Sequence, residues 1–498
     1  MESMKTKSLC PQCHKVVDAD VYEEDGKILM KKRCEEHGDF NDIYWSDADL
    51  YDKFAQWRLN DDEVSAGIQN TESIKGCPAD CGLCPEHKSS TMLALIDLTN
   101  RCNQHCPTCF ANAAVAGYLY EPTMEQLEEM MKLLRSEVPP CHAIQFAGGE
   151  PTVRENIVEI VKMARDLGFS HIQVATNGVA MAKSVEFCHE LKVAGLHTVY
   201  LQFDGVTEEP YKILRGYPAL KPKLKAIENC WQGKIKSVVL VPTIMKGVND
   251  DQIGDIVRFA AENLHIIKGV NAQPISFEGR VDEAERNKGR ITIPDFIRLL
   301  EEQTNGEIPR ESFYPVPFVL PISYFIEAWK GIPQLSFTVH PHCGAATYVF
   351  VDDGKFVPIT AFIDVEGFME FLKDSAEEIR HSKIGKIRAT AALVSAIRKF
   401  IDKDKAPEGF DPLALLSNIL GIGNREAVAE FHRNALYIGA MHFMDPYNFD
   451  LERVKRCGIH YATPDGRIIP FCAYNALHRP SVENAFSTPL QNPKTDVD

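Results

Sequence analysis

Two cysteine triples of identical spacing stand close together in the chain, Cys77-x3-Cys81-x2-Cys84 and Cys102-x3-Cys106-x2-Cys109. Three thiolates so spaced can wrap one face of a cubane 4Fe-4S cluster. They leave its fourth iron to a ligand from elsewhere in the fold or to a substrate. A zinc knuckle is the plainer use of such residues, but structural zinc takes four protein ligands and each triple supplies three. Ahead of them, Cys10-x2-Cys13 and Cys34-x2-His37 make a full tetrahedral donor set that suits one mononuclear zinc or iron. Cys343, Cys457 and Cys472 each stand near Gly, Pro or His in loop-like sequence. They are candidates to complete a second auxiliary cluster or to donate to the first. Cys141, Cys188 and Cys230 fall at ordinary strand and helix positions and read as buried structural thiols.

The 15 cysteines sit in a 498-residue chain with no export signal, grouped as C-x2-C and C-x3-C-x2-C. That pattern points to metal sites in a reducing compartment rather than to disulfides. The protein is expected in the cytoplasm and sensitive to oxygen. A formal net charge of −16 argues against nucleic acid as a partner, since a phosphate backbone asks for clustered Lys and Arg. No apolar run approaches the roughly 18–20 residues that cross a bilayer. The most apolar stretch, 313–329, is broken by Pro315, Pro317 and Pro321 and carries Glu327.

The elements that position these residues are legible as an alternation. Apolar strands are predicted at 92–98, 142–147, 171–175, 198–203, 237–243 and 268–275. Helices are predicted at 124–137, 153–167, 184–194, 218–231, 251–264 and 293–303. Thr123 and Gln126 make a capping box, and Leu127, Met130, Met131 and Leu134 continue an apolar stripe. Strands alternating with helices mean parallel βα units, and six repeats are too few for a closed eight-fold barrel. The expected fold is α/β, a partial (β/α)6 TIM-type barrel, with a small N-terminal metal-binding unit and a mainly helical C-terminal domain. The expected divisions are 1–50 for the metal-binding unit, 51–91 for an auxiliary-cluster segment, 92–305 for the barrel and 306–498 for the C-terminal domain. Long helical regions are expected there at 366–402 and 410–440.

The second triple follows the first barrel strand and reads Cys102-Asn-Gln-His-Cys106-Pro-Thr-Cys109-Phe110, and Gly148-Gly149-Glu150-Pro151-Thr152 follows the second strand. In these motifs residues 92–280 resemble the radical S-adenosylmethionine (radical SAM) superfamily. There such a cluster reductively cleaves SAM to a 5′-deoxyadenosyl radical. The resemblance implies that Cys102, Cys106 and Cys109 hold the SAM cluster. It implies that Gly148, Gly149, Glu150, Pro151 and Thr152 contact SAM, with Asn177 and Asp204 as weaker pocket positions. The aromatic residue usual before the third cysteine is here Thr108, so Phe110 is the candidate for the adenine contact. Cys77, Cys81 and Cys84 have no strand before them and read as an auxiliary cluster, with His87, a distant cysteine or nothing as fourth ligand, a structural zinc being the plainer alternative. Two or three 4Fe-4S clusters, SAM and one mononuclear Fe or Zn are the expected cofactors.

The whole-chain arrangement also resembles the archaeal tetraether lipid synthases, most specifically in Met441-His-Phe-Met-Asp-Pro-Tyr447, Arg456-Cys457-Gly-Ile-His460 and Pro464-Asp-Gly-Arg467 through Asn475. That resemblance implies an enzyme coupling the terminal carbons of isoprenoid glycerol ether lipids. Its partners would be a lipid substrate and a reductant protein such as ferredoxin or flavodoxin, with a peripheral membrane contact. A dry channel built from 313–329 and 366–440 is expected to reach the barrel mouth. The alternatives are a SPASM-like maturase of a peptide or small molecule, and an iron–sulfur electron-transfer or redox-sensing protein.

Overall fold

Alternating residues build the N-terminal unit. In the computed structural model, β1 (Met4–Leu9), β2 (Val16–Glu24), β3 (Lys27–Cys34) and β4 (Gly38–Trp45) form an antiparallel meander in that order. The structure describes residues 3–60, 69–113, 117–279, 281, 283–382, 385–386, 388, 393, 399–408, 410 and 435–489. Ile28, Met30, Lys32 and Cys34 of β3 point inward, as the two-residue pleat requires. Val21, Ile28, Met30 and Trp45 join the main core, so the ribbon is docked on the barrel. Polar bonds fix its register there. Thr6 and Tyr44 hydroxyls each donate to Asp450 at 2.7 Å. Lys32 Nζ donates to Ser8 Oγ and to the Pro446 and Tyr447 carbonyls at 2.6–2.9 Å. Burial pulls the Lys32 ammonium pKa down to about 7.

The six predicted strands are present as β5 (Leu93–Thr99), β6 (Ala143–Gly148), β7 (His171–Thr176), β8 (Thr198–Gln202), β9 (Val238–Val241) and β10 (Ile267–Pro274). They pair in parallel in chain order. The helices between them are Met124–Arg135, Ile157–Asp166, Val185–Ala194, Leu220–Gln232 and Ile253–Glu262, with Ile293–Gln303 after the last strand. The Thr123–Gln126 capping box forms, and Leu127, Met130, Met131 and Leu134 are buried. The fold is the α/β partial barrel.

The C-terminal region carries helices Leu320–Lys330, Val365–His381, Leu451–Lys455 and Arg479–Ala485. It also supplies β11 (Gly344–Asp352), β12 (Ala435–Met441), β13 (Ile459–Ala462) and β14 (Ile468–Pro470). β12 pairs in parallel with β10, and β13 in parallel with β5, which extends the parallel array at both edges. Antiparallel β11 and β14 then cover β12 and β13. Of the helix expected at 410–440, residues 411–434 lie outside the described residues, and 435–441 form β12. Seven apolar residues fit either period, and only pairing with β10 decides between them.

The expected lipid channel is not found among the described residues. Phe318 and Phe325 pack with Phe350, Phe362, Phe368 and Leu372 into a second core, and Phe313 belongs to the main one. The aromatic reserve of 313–329 is therefore spent on ordinary burial. None of the described residues of 313–329 or 366–410 lines the cavity at the second cysteine triple. No described helix is long and apolar enough to cross a membrane.

Candidate active site

Cys102, Cys106 and Cys109 lie on the loop after β5 and face one cavity at the C-terminal ends of the parallel strands. The loop's path is set by the segment after β6. Gly149 N–H donates to Thr99 O at 2.7 Å, and Glu150 N–H donates to Arg101 O at 2.8 Å. A Cβ on Gly148 would stand 2.3 Å from Thr99 O, and one on Gly149 would stand 2.3 Å from Arg101 O. The glycines are required because two backbones touch there.

Glu150 is buried and ties three strand ends together. Its Oε1 accepts from Thr152 Oγ1 at 2.5 Å and Thr176 Oγ1 at 2.6 Å, and its Oε2 accepts from Asn177 N–H at 2.7 Å. Asn177 Nδ2 donates to Asn103 Oδ1 on the cysteine loop at 2.7 Å. Gly148, Gly149, Glu150, Asn177 and Phe110 line the cavity, whereas Pro151, Thr152 and Asp204 stand behind it. Pro151 and Thr152 are taken up by a short 3-10 turn capped by Glu150. Asp204 reaches the site only through Arg215, which no local pattern had marked. Thr108 also borders the cavity, with its hydroxyl occupied in donating to Leu214 O at 2.9 Å.

Burial pushes the Cys102 thiol up to about 12 and raises Cys106, with the Arg215 guanidinium opposing the rise at Cys106. Thiols so placed ionise on metal ligation, and three of them opening on a cavity fit a cluster with one free iron. Lys223 is wholly buried behind them. Its Nζ donates to Asn177 O at 2.5 Å and Gln202 Oε1 at 2.8 Å, and burial lowers its pKa to about 8.

The structure brings the other cysteines into one neighbourhood beside β13. Cys81 is raised by its hydrogen bond to Cys77, by burial, and by the nearby Cys77, Cys84 and Cys457 sulfurs. Cys457 is pushed up to about 12 by burial and by Cys343, and burial, Cys457 and Cys343 all raise Cys472. Cys77, Cys81, Cys457 and Cys472 pack in one cluster, and Cys472 lines the same cavity as Cys102. Arg453, also unmarked in the sequence, donates from Nε to Cys343 Sγ at 3.4 Å. Its Nη1, both His442 ring nitrogens and His340 Nε2 have no partner among the described residues. Buried donors left over beside cysteines suit a sulfide-bearing cluster, whose sulfurs accept hydrogen bonds. His87 lines a small cavity together with Cys77, Cys81 and Cys84, with its ring engaged by other groups. Its Nε2 lies 2.9 Å from Cys457 O and 3.0 Å from His460 Nε2.

On the ribbon, the ligand atoms of Cys10, Cys13, Cys34 and His37 all lie within 4.8 Å of one another. His37 Nδ1 is 3.6 Å from Cys10 Sγ and 3.5 Å from Cys34 Sγ, and Cys13 and Cys34 sulfurs are 3.9 Å apart. A tetrahedron of metal–sulfur bonds near 2.3 Å has edges of about 3.8 Å, so the four atoms fit one ion.

Residues 96–260 match the radical SAM superfamily, and residues 3–46 match the HMPTM N-terminal zinc ribbon domain. A 7,8-dihydro-6-hydroxymethylpterin dimethyltransferase of Methanocaldococcus jannaschii is 54% identical over 490 residues, covering 98% of this chain and 96% of that one. The chain belongs to that enzyme's family. It is a radical SAM enzyme, whose cofactors are 4Fe-4S and SAM, with a further metal site on the ribbon. A probable GTP 3′,8-cyclase of Thermococcus kodakarensis is 32% identical over 265 residues, 52% of this chain and 82% of that one. Among solved structures, Streptococcus suis SuiB bound to S-adenosylmethionine is 20% identical with a TM-score of 0.35, over 44% of this chain and 45% of that one.

The whole-chain relationship corrects the lipid assignment. Carbon–carbon coupling of lipid termini, the isoprenoid lipid partner and the tetraether synthase grouping give way to the family of a pterin dimethyltransferase. The electron-transfer alternative gives way with them, as does the peptide half of the maturase of a peptide or small molecule, since the relative's named substrate is a pterin. The physical reason is in the fold: the apolar stretch expected to form a channel builds a second core instead.

Proposed function

We propose that this protein is a radical SAM C-methyltransferase acting on a pterin, in the manner its relative's name describes, 7,8-dihydro-6-hydroxymethylpterin dimethylation. The observation that carries the reading is 54% identity along essentially the whole of both chains. The shape and lining of the site support it. Aromatic rings and a few convergent polar groups (Phe110, Phe443, Phe471, Tyr461, Asn475 and Arg479) surround the space in front of the second triple, as a planar heterocycle requires.

Cys102, Cys106 and Cys109 would hold the SAM-cleaving cluster, which supplies a reducing electron and an iron with open coordination. Arg215 holds positive charge against Cys106, and Glu150 and Asn177 keep the cysteine loop in register with the strand ends. Cys77, Cys81 and Cys84 would hold a separate cluster, and Cys343, Cys457 and Cys472 a further one, with Cys457 placed to serve either set. The ribbon ligands would hold a structural ion. The charge, the grouped thiols and the lack of a described spanning helix support a cytoplasmic site of action.

The test is anaerobic turnover of the reconstituted protein with SAM, reductant and 7,8-dihydro-6-hydroxymethylpterin, read by mass spectrometry. Methylated pterin together with 5′-deoxyadenosine is the expected outcome. 5′-Deoxyadenosine without any methylated pterin, under conditions where a methyl donor is supplied by cell extract, would defeat the reading.

A further inference from the structure

The cavity at the second triple opens into an outer vestibule, and Glu278, Asn475 and Arg479 border both spaces. Glu278 lies on the loop after β10, and that loop is held from two sides. Gly279 has φ +64°, and a Cβ on it would stand 2.3 Å from Cys109 O and 2.5 Å from Phe110 O. The loop therefore rests directly on the third cysteine. On its other side Phe277 N–H donates to Asp445 Oδ2 at 3.0 Å.

Glu278 Oε1, so held, is closed off from solvent and has no hydrogen-bond partner among the described residues. The nearby cation does not satisfy it. Arg479 donates from Nε and Nη2 to Asn475 Oδ1 at 3.1 and 2.7 Å, and from Nη1 to Asp97 Oδ2 at 2.5 Å and Glu483 Oε1 at 3.2 Å. Its guanidinium is also stacked over Tyr474, 4.8 Å from the ring centroid. A buried carboxyl oxygen with no partner is costly, and burial with the Asp445 charge beside it favours the neutral form of Glu278 until donors that stabilise the carboxylate arrive. Across the same cavity Phe471 stacks on Phe443 with centroids 3.9 Å apart, and Tyr461 lies 5.4 Å from Phe471, which makes that side an aromatic wall.

We propose that Glu278 binds the 2-amino-4-oxopyrimidine edge of the substrate, accepting hydrogen bonds from the ring N–H and the exocyclic amine while the ring lies against the aromatic wall. This rests on the pterin reading above and deepens it. Two parallel N–H donors on one edge match the two oxygens of a carboxylate, the pairing by which guanidinium groups are also held. The position beside Cys109 places the rest of the ring toward the SAM cluster. Glu278 is then the residue that selects a 2-amino-4-oxo ring over other flat heterocycles.

The experiment uses full-length, metal-loaded protein under anaerobic conditions. Equilibrium binding of 7,8-dihydro-6-hydroxymethylpterin, of its analogue lacking the 2-amino group, and of SAM is measured for wild type and Glu278→Gln. Wild type should bind the deaminated analogue roughly 10- to 100-fold more weakly than the pterin, the worth of a charge-assisted hydrogen bond. Glu278→Gln should lose affinity for the pterin by a similar factor, should no longer distinguish the two compounds, and should bind SAM as wild type does. Wild type binding both compounds equally overturns the role of Glu278 without any variant. So does Glu278→Gln with undiminished discrimination, and either result leaves the pterin reading standing. Wild type that binds no pterin at all overturns the proposed function, and this inference with it.

Discussion

Arg215 and Asp204 meet in a buried, two-pronged ion pair, Nε to Oδ2 and Nη2 to Oδ1, both at 2.7 Å. Arg215 Nη2 also donates to Thr243 Oγ1 at 2.9 Å, and its charge faces Cys106. Asp204 therefore stands outside the cavity lining but decides where a cation stands beside Cys106. Removing one partner leaves the other charged, buried and alone. Asp204→Asn should cost about 3–5 kcal/mol in stability and lower the iron bound on reconstitution. The double change Asp204→Leu/Arg215→Met should be milder in stability than either single loss. Denaturant unfolding with iron analysis checks this; equal stability of wild type and Asp204→Asn would show that the pair is solvated.

The two triples are distinguished by their surroundings, since one follows β5 into the cavity and the other lies beside Cys457. Replacing Cys102, Cys106 and Cys109 together by Ala should abolish 5′-deoxyadenosine formation and leave substantial iron on the protein. Replacing Cys77, Cys81 and Cys84 should lower iron content while SAM cleavage survives. Loss of SAM cleavage in the second variant alone, with iron retained at the first site, would reverse the assignment.

Gly149 is held in place by contact, not by a ligand. A methyl group there would meet Arg101 O at 2.3 Å and Asn100 O at 2.9 Å, both backbone atoms that have little room to yield. Gly149→Ala should push the cysteine loop away from the segment after β6 and cost about 1–3 kcal/mol. Iron loading and SAM binding should fall while the circular dichroism spectrum stays native. A variant with wild-type SAM affinity would mean that the loop has slack the packing does not suggest.

Glu137 gives a pH dependence. It is buried behind β5, accepts from Thr91 Oγ1 at 2.8 Å, and burial raises its pKa to about 7. The folded state thus favours the protonated carboxyl. The stability it contributes is full below its unfolded pKa near 4.5 and is lost as pH rises through 7. The window of 2.5 units is worth on the order of 3 kcal/mol. Glu137→Gln keeps the shape, with the amide O accepting from Thr91 N–H and the NH2 donating to Thr91 Oγ1. It should be more stable than wild type at pH 8 and no more stable at pH 4.5. Parallel stability curves for the two proteins across that range would sink the idea.

Whatever is written in local spacing is legible in the chain before it folds. The four ribbon ligands, the second triple behind an apolar strand, the six βα repeats and the Thr123–Gln126 cap all arise within a few residues of one another, so period and spacing suffice to find them. Which distant residues share a site depends on how the elements pack. β12 and β13 join opposite edges of one sheet. Cys457 is carried to Cys81, Arg453 to Cys343, and Asp204 positions Arg215 at Cys106. Glu278 is laid over Cys109 by a glycine contact invisible in one dimension. The apolar stretch at 313–329 suited a lipid channel equally well until its rings were seen packed into a second core. Hydrophobicity states that a surface must leave water; it does not state what will cover it, and only the packed chain settles that.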